Sequence, residues 1–254
     1  MTSPAAVHFE LYCGFRSTDA RMPDGVGYLD DAARRDLVAR AGVRHASHLD
    51  LAVSYGVLAA RAALAPGDDD IGILALNGPW NIWASFDTDQ RARDAGARFI
   101  NPMRFPATLI SHVPTRVAQE LHATRFAFAV GHDDAAFLDA ILLAARLVSA
   151  GHARTVLVLA VCHGHPPLAR ISERAGWTVP PLDVALCARV GTPTGRGSTL
   201  SLQWENARQC GDSLGPALSA AAAVVLADAA RGALDGCLGD TAQRLATWGV
   251  RTEI

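Results

Sequence analysis

Two kinds of apolar pattern alternate along this chain: short unbroken runs, and longer stretches with helical spacing. Ile71-Gly-Ile-Leu-Ala-Leu76, Arg125-Phe-Ala-Phe-Ala-Val130 and Arg154-Thr-Val-Leu-Val-Leu-Ala-Val161 are runs of strand length with little polar alternation. Such runs suit a sheet covered on both faces. Residues 7–13 predict a first strand closed by Gly14, and residues 182–190 and 198–204 predict two late ones. The glycine-rich stretch 191–197 between these reads as a hairpin or a wide turn.

Helical spacing marks residues 30–41, 48–64, 108–121 and 133–149. The first opens on Asp30 and carries Arg40 near its end, which suits the helix dipole. The second has Leu49, Leu51, Val53, Val57, Leu58 and Leu64 spread around it, the mark of a buried helix, and Pro66-Gly67-Asp68 stops it. The third holds Pro114 in its first turns, where proline is tolerated. The fourth is ended by Gly151. Residues 214–234 predict a further, alanine-rich helix. After Pro79 comes an aromatic-rich segment, 80–93, and then an extended stretch, 101–106, pinned by two prolines. The alternation of strands and helices predicts an α/β fold in a single domain, residues 1–254.

Composition narrows the function classes. Half of the 254 residues are apolar and 19% are charged, enough for a substantial core. The formal net charge of −2 gives no electrostatic reason to expect nucleic acid or an anionic membrane as partner. The five cysteines (Cys13, Cys162, Cys187, Cys210, Cys237) are scattered without a CxxC pair, as in the reduced thiols of a cytoplasmic protein. Residues 1–8 do not read as a signal peptide, and no apolar run is long enough to span a bilayer. A soluble, cytoplasmic protein is expected.

Candidate chemistry is sparse. Asp133 and Asp134 follow a strand through Gly131-His132 and open a helix. Capping and dipole compensation, about 0.5–2 kcal/mol, account for them without catalysis. Their position at a strand-to-helix elbow is what singles them out, because such a turn aims a helix N-terminus at a pocket. His163 and His165 have metal-ligand spacing but no local third ligand, and Pro166-Pro167 predicts a solvated loop. Cys162 reads as a small buried thiol. No GxSxG, GxxxxGK[ST] or GxGxxG motif occurs, so no cofactor and no metal is expected. Trp80, Trp83 and Phe86 fall at i, i+3 and i+6. They are a core stripe, or else the wall of a lipophilic tunnel or interface.

The order of these features resembles the N-terminal half of the β-ketoacyl synthases. It runs from a strand ending in Leu76-Asn-Gly78, through Asn101-Pro-Met-Arg-Phe-Pro-Ala-Thr108 and the strand 126–130, to Asp134-Ala-Ala-Phe-Leu-Asp-Ala-Ile141 and Ala150-Gly-His-Ala-Arg-Thr-Val. The likeness covers roughly residues 70–161. It implies the N-terminal half of a thiolase-like fold, a mixed sheet with helices packed on it, the C-terminal half of the full fold being largely absent. It also places Asp134 where an active ketosynthase has its nucleophilic cysteine. The chain-length factors of type II polyketide synthases also replace that cysteine. The resemblance therefore implies a non-catalytic, chain-length-factor-like subunit, similar to those found in polyketide, aryl polyene or fatty-acid-like biosynthesis. Its expected partners are a complete ketosynthase, as a heterodimer, and an acyl carrier protein met through the complex.

By the same resemblance, residues 125–130 pair across the dimer. Tunnel or interface positions are Pro79, Trp80, Trp83, Phe86, Met103, Arg104, Phe105, Arg125, Phe126, Phe128, Asp133, Asp134 and Phe137. Arg125 or Arg104 would meet the acidic carrier protein. Two other readings stand beside this one. One is a stand-alone acyl-thioesterase or acyltransferase using Asp134 or Asp133 as base, with His132 or His163 nearby. The other is a structural relic that homodimerises.

Overall fold

The computed structural model describes residues 7–16, 31–44, 49–76, 80–102, 105–130, 136–163, 183–196, 198–202 and 250–252. In chain order the elements are β1 (Val7–Arg16), α1 (Asp31–Ala41), α2 (Leu51–Ala63), β2 (Ile71–Leu76) and α3 (Trp80–Ala95). Two 3-10 turns follow, Ala97–Phe99 and Phe105–Thr108, then α4 (His112–Leu121), β3 (Ala127–Val130) and α5 (Ala136–Ser149). The chain continues through β4 (Thr155–Cys162), β5 (Val184–Gly191), β6 (Ser198–Leu202) and β7 (Val250–Thr252).

The strands form one mixed sheet in the order β3-β2-β4-β5-β1-β6-β7. β2 runs parallel to both β3 and β4, while β5 is antiparallel to β4 and to β1. Two of the three unbroken apolar runs became interior strands, β4 and β2, whose six residues are all buried; the third became β3, at the end of the strand order. Asp50 caps α2, its carboxylate accepting from the Ala52 N–H at 2.8 Å. That cap starts the helix at Leu51 rather than His48.

α2 is buried along nearly its whole length. It crosses α4 at Gly56, where an added Cβ would lie 2.8 Å from Val117. At its far end Arg189 of β5 is enclosed, donating to both oxygens of Asp68 (2.5 and 3.0 Å), to Ala63 O (2.9 Å) and to Thr192 O (2.7 Å). A buried guanidinium survives because every direction it points in offers an acceptor.

Several expectations needed correction. β1 does not stop at Gly14; a register irregularity between Cys13 and Phe15 absorbs the glycine and pairing with β5 continues to Arg16. The stretch 191–197 is not a hairpin, because β1 lies between β5 and β6 and pairs with both. The third helix begins at His112, behind the 3-10 turn of Phe105–Thr108, which puts Pro114 at its third position. The first N–H groups of a helix have no partner within it, so the proline costs no hydrogen bond there. The expected helix 214–234 and the residues 131–135 that join β3 to α5 lie outside the described residues.

Candidate functional site

β2, β3 and β4 are parallel and end side by side at Leu76, Val130 and Cys162, with Leu76 directly opposite Val130. In open α/β sheets the region outside such carboxyl ends is where ligands bind. A buried polar cluster lies there. His163, which follows β4, is 4% exposed and sits with Nε2 3.2 Å from Asp50 Oδ1 at the head of α2. Asp183, just before β5, is fully buried; it accepts from Tyr55 OH at 3.2 Å and pairs with Arg34 of α1 at 3.2 Å. His112, opening α4, is also buried, and its Nε2 has no hydrogen-bond partner among the described residues.

The charges in this cluster support one another. Burial works against the Asp50 carboxylate, yet His163 and the Ala52 N–H hold it below the ordinary range. Burial likewise opposes the His163 imidazolium, but Asp50 outweighs it and raises the group. His112 goes the other way: burial lowers it, with Asp50 opposing only in part. Burial and then Asp183 push Tyr55 upward, so it remains a neutral donor. His163 is thus no solvated-loop residue; a buried carboxylate holds it. Among the described residues no three His, Cys, Asp or Glu side chains are grouped as metal ligands.

The second feature is the outer strand. β3 pairs with β2 on one side and, among the described residues, with no strand on the other. Its approach is clamped: Arg125 donates to both carboxylate oxygens of Asp70, at 2.6 and 2.8 Å. The Arg125 N–H also bonds Ile71 O, and Ile73 N–H bonds Phe126 O. That fork holds Asp70 below the ordinary carboxylate range. Phe126 and Phe128 stack with centroids 5.3 Å apart and planes 8° from parallel. Phe128 is 52% exposed.

The anticipated tunnel or interface positions divide accordingly. Phe86 on α3 is 44% exposed and Phe105 is 56% exposed, so neither is a core residue. Arg125 is exposed but committed to Asp70, and Phe126 is half-buried beneath Phe128. Phe137 is fully buried and belongs to the core cluster. Trp80 and Trp83 lie on α3, but their side chains are outside the described residues. Pro79, Met103, Arg104, His132, Asp133, Asp134 and His165 lie outside them altogether.

No family model matches this sequence, and no curated protein is significantly similar to it. Solved structures are. The ishigamide ketosynthase/chain length factor superposes with a TM-score of 0.58 at 14% identity, over 79% of this chain and 66% of that one. A type II PKS acyl-carrier protein in complex with its ketosynthase bound to the hexaketide (AntDE:AntF) gives 0.57 at 16% identity, over 79% and 68%. The chain has the thiolase-like fold of ketosynthase/chain length factor structures. A ketosynthase, ApeO, in complex with its chain length factor, ApeC, from Xenorhabdus doucetiae is also similar, with a TM-score of 0.44 at 17% identity, over 76% and 81%. On this ketosynthase-like fold, the segments that carried the resemblance run from β2 through β4. No described helix is long and apolar enough to cross a membrane.

The residues that reasoning from sequence missed are the buried ion pairs. Asp50 had a readable signal, an aspartate directly before an apolar helical run. Its link to His163 had none, since nothing in local pattern joins distant positions.

Proposed function

We propose that this chain is a non-catalytic, chain-length-factor-like subunit that pairs with a complete ketosynthase and helps shape its acyl tunnel. The observation that carries the reading is an outer strand on a ketosynthase-like sheet, β3, with Phe128 turned outward and, among the described residues, no strand on its other edge. An exposed sheet edge is a template on which another chain can add a strand. Phe105 and Phe86, exposed on the segments between β2 and β3, belong to the same reading as residues that approach the partner's acyl pocket.

Asp134 is the second support, by resemblance. A carboxylate at the nucleophile position cannot form the thioester that condensation requires. An acyl carrier protein would be met by the complex, since Arg125 is committed to Asp70. The pathway is of polyketide or fatty-acid-like type, with polyene assembly the nearest resemblance.

Co-expression with the intact ketosynthase encoded nearest to this chain tests the proposal. A stable one-to-one heterodimer is expected, and failure to co-purify would end the reading. Acyl-thioester turnover by the isolated chain, abolished by Asp134→Asn, would overturn its non-catalytic part.

A further inference from the structure

The two faces of the sheet differ beyond β1. Arg189 of β5 reaches Ala63 O of α2, and Glu10 is its register partner on β1. Directly opposed residues share a face, so positions 8, 10 and 12 lie on the α2 side. Val7, Phe9 and Leu11 alternate with them and lie on the α5 side. Val7 lines a cleft of about 470 Å³ there, with Leu142, Ala145, Arg146, Ser149 and Ala150 at the end of α5. The register carries this face outward: positions 202 and 200 of β6 oppose Val7 and Phe9, and position 250 of β7 opposes 202. Along β6, Ser198-Thr-Leu-Ser-Leu202, leucine alternates with polar residues on exactly those positions, the pattern of a strand with one covered face. Yet the described helices α2, α4 and α5 pack mainly on β1 to β5, and the chief described neighbours of β6 and β7 are strands.

We propose that the cleft beside α5 is a docking surface for this chain's own residues 214–234, which lie along it as a helix and cover the apolar side of β6 and β7. Connectivity argues for this occupant. β6 ends at Leu202 and β7 resumes at Val250, its register partner. The segment 203–249 therefore leaves and returns next to Val7, at the cleft itself. A segment tethered there competes at an effective concentration on the order of 1 mM, an advantage over any separate partner. Composition agrees. No charged residue falls between Asp212 and Asp228, and Leu218, Ala222, Val225 and Ala229 follow at i, i+4, i+7 and i+11 as one apolar stripe. A helix of this length spans about 30 Å, enough to run past both strands. Its many alanines suit a close approach to Ala145, Ser149 and Ala150. The α5 side of the sheet is thus closed from within the chain, and any partner subunit is confined to other surfaces. This holds whether or not the partner-subunit reading does.

The test uses the full chain with photoreactive benzoylphenylalanine in place of Ser149, an exposed residue of the cleft. It is irradiated alone and after co-expression with the intact ketosynthase encoded nearest to it, and the joined peptides are identified by mass spectrometry. Cross-links within one chain, to residues 214–234, are expected in both samples. Cross-links to a second copy, to the ketosynthase or to another segment, or none at all, would overturn the inference. Val225→Asp puts a charge on the apolar stripe and is expected to lower the thermal midpoint by about 5 °C and the cross-link yield severalfold. An unchanged midpoint and yield would show that the stripe does not face the cleft and would overturn the inference too. If Val225→Asp fails to fold, the cross-links of the otherwise unaltered chain still decide.

Discussion

His163 and Asp50 form a pair in which each group keeps the other charged inside the protein. Removing one partner of a buried ion pair strands the other, at a cost of about 3–5 kcal/mol. His163→Ala is therefore expected to destabilise the fold by about that much in urea unfolding. Asp50→Ala should cost more than the loss of a helix cap, which is about 1 kcal/mol. The pair also sets a pH signature. Asp50 is depressed in the fold, so its contribution is complete above its ordinary value of 3.8 and fades as pH falls through the folded value. His163 is raised, so its contribution is complete below 6.5 and fades as pH rises through its folded value. The thermal midpoint of wild type minus that of Asp50→Asn/His163→Gln should be greatest between these two ordinary values and shrink above pH 6.5. His112 opposes the trend on the acid side: burial depresses it, and its neutral form loses ground below 6.5. Because Asp50 partly offsets the depression of His112, the difference is measured between proteins that both also carry His112→Asn, which removes that titration from each. A difference that grew with pH through 7 and 8 would mean the pair is not charged as described.

Among elements, the close crossing of α2 and α4 explains a glycine in the middle of a buried helix. Gly56 costs α2 about 1 kcal/mol of helix propensity relative to alanine. The fold accepts this because Val117 Cγ2 needs the space. Valine is stiff at χ1 and cannot swing its methyl away freely. Gly56→Ala is expected to be net destabilising in wild type and less so with Val117→Ala, with a coupling of about 0.5–3 kcal/mol in a double-mutant cycle. Additive effects would show that the helices can move apart. Elements were also where reading from sequence succeeded and failed most clearly. β2, β4 and α2 were legible because their apolar periodicity is a local property, set by the faces they bury. The place of β1 was not. Its residues pair with β5 and β6 from the opposite end of the chain, and strand pairing leaves no local trace, so the sequence left a hairpin and a wide turn both open for the stretch before β6. His163 failed for the same reason. Two prolines nearby predicted a loop, whereas its burial is decided by Asp50.

At the scale of the molecule, the distribution of exposed apolar side chains is uneven. Among the described residues seven large apolar side chains are exposed; Phe86, Phe99, Phe105, Leu109, Ile110 and Phe128 fall between the start of α3 and the end of β3, and the seventh, Leu143, is on α5. These elements touch in sequence: α3 contacts both 3-10 turns, the second turn contacts α4, and α4 contacts β3. Exposed apolar side chains gathered on touching elements suit an interaction site, and the last of these elements, β3, has no strand on its other side among the described residues. The resemblance names Phe86, Phe105 and Phe128 as tunnel or interface positions, and all three side chains are exposed; Phe99, Leu109 and Ile110, also exposed, are covered by no motif. A surface of this kind should drive self-association when the chain is expressed without a partner. Sedimentation velocity of the isolated chain is expected to show dimers or larger species, with little response to salt, because the contact is apolar and the net charge is only −2. Phe128→Lys, a charge on an edge strand, should shift the population toward monomer by at least tenfold in dissociation constant, as edge lysines block strand pairing elsewhere. Adding the ketosynthase to the wild-type chain should replace the self-associated species by a heterodimer. A wild-type chain that stays monomeric at high concentration would show that the exposed aromatics between α3 and β3 are not an association surface.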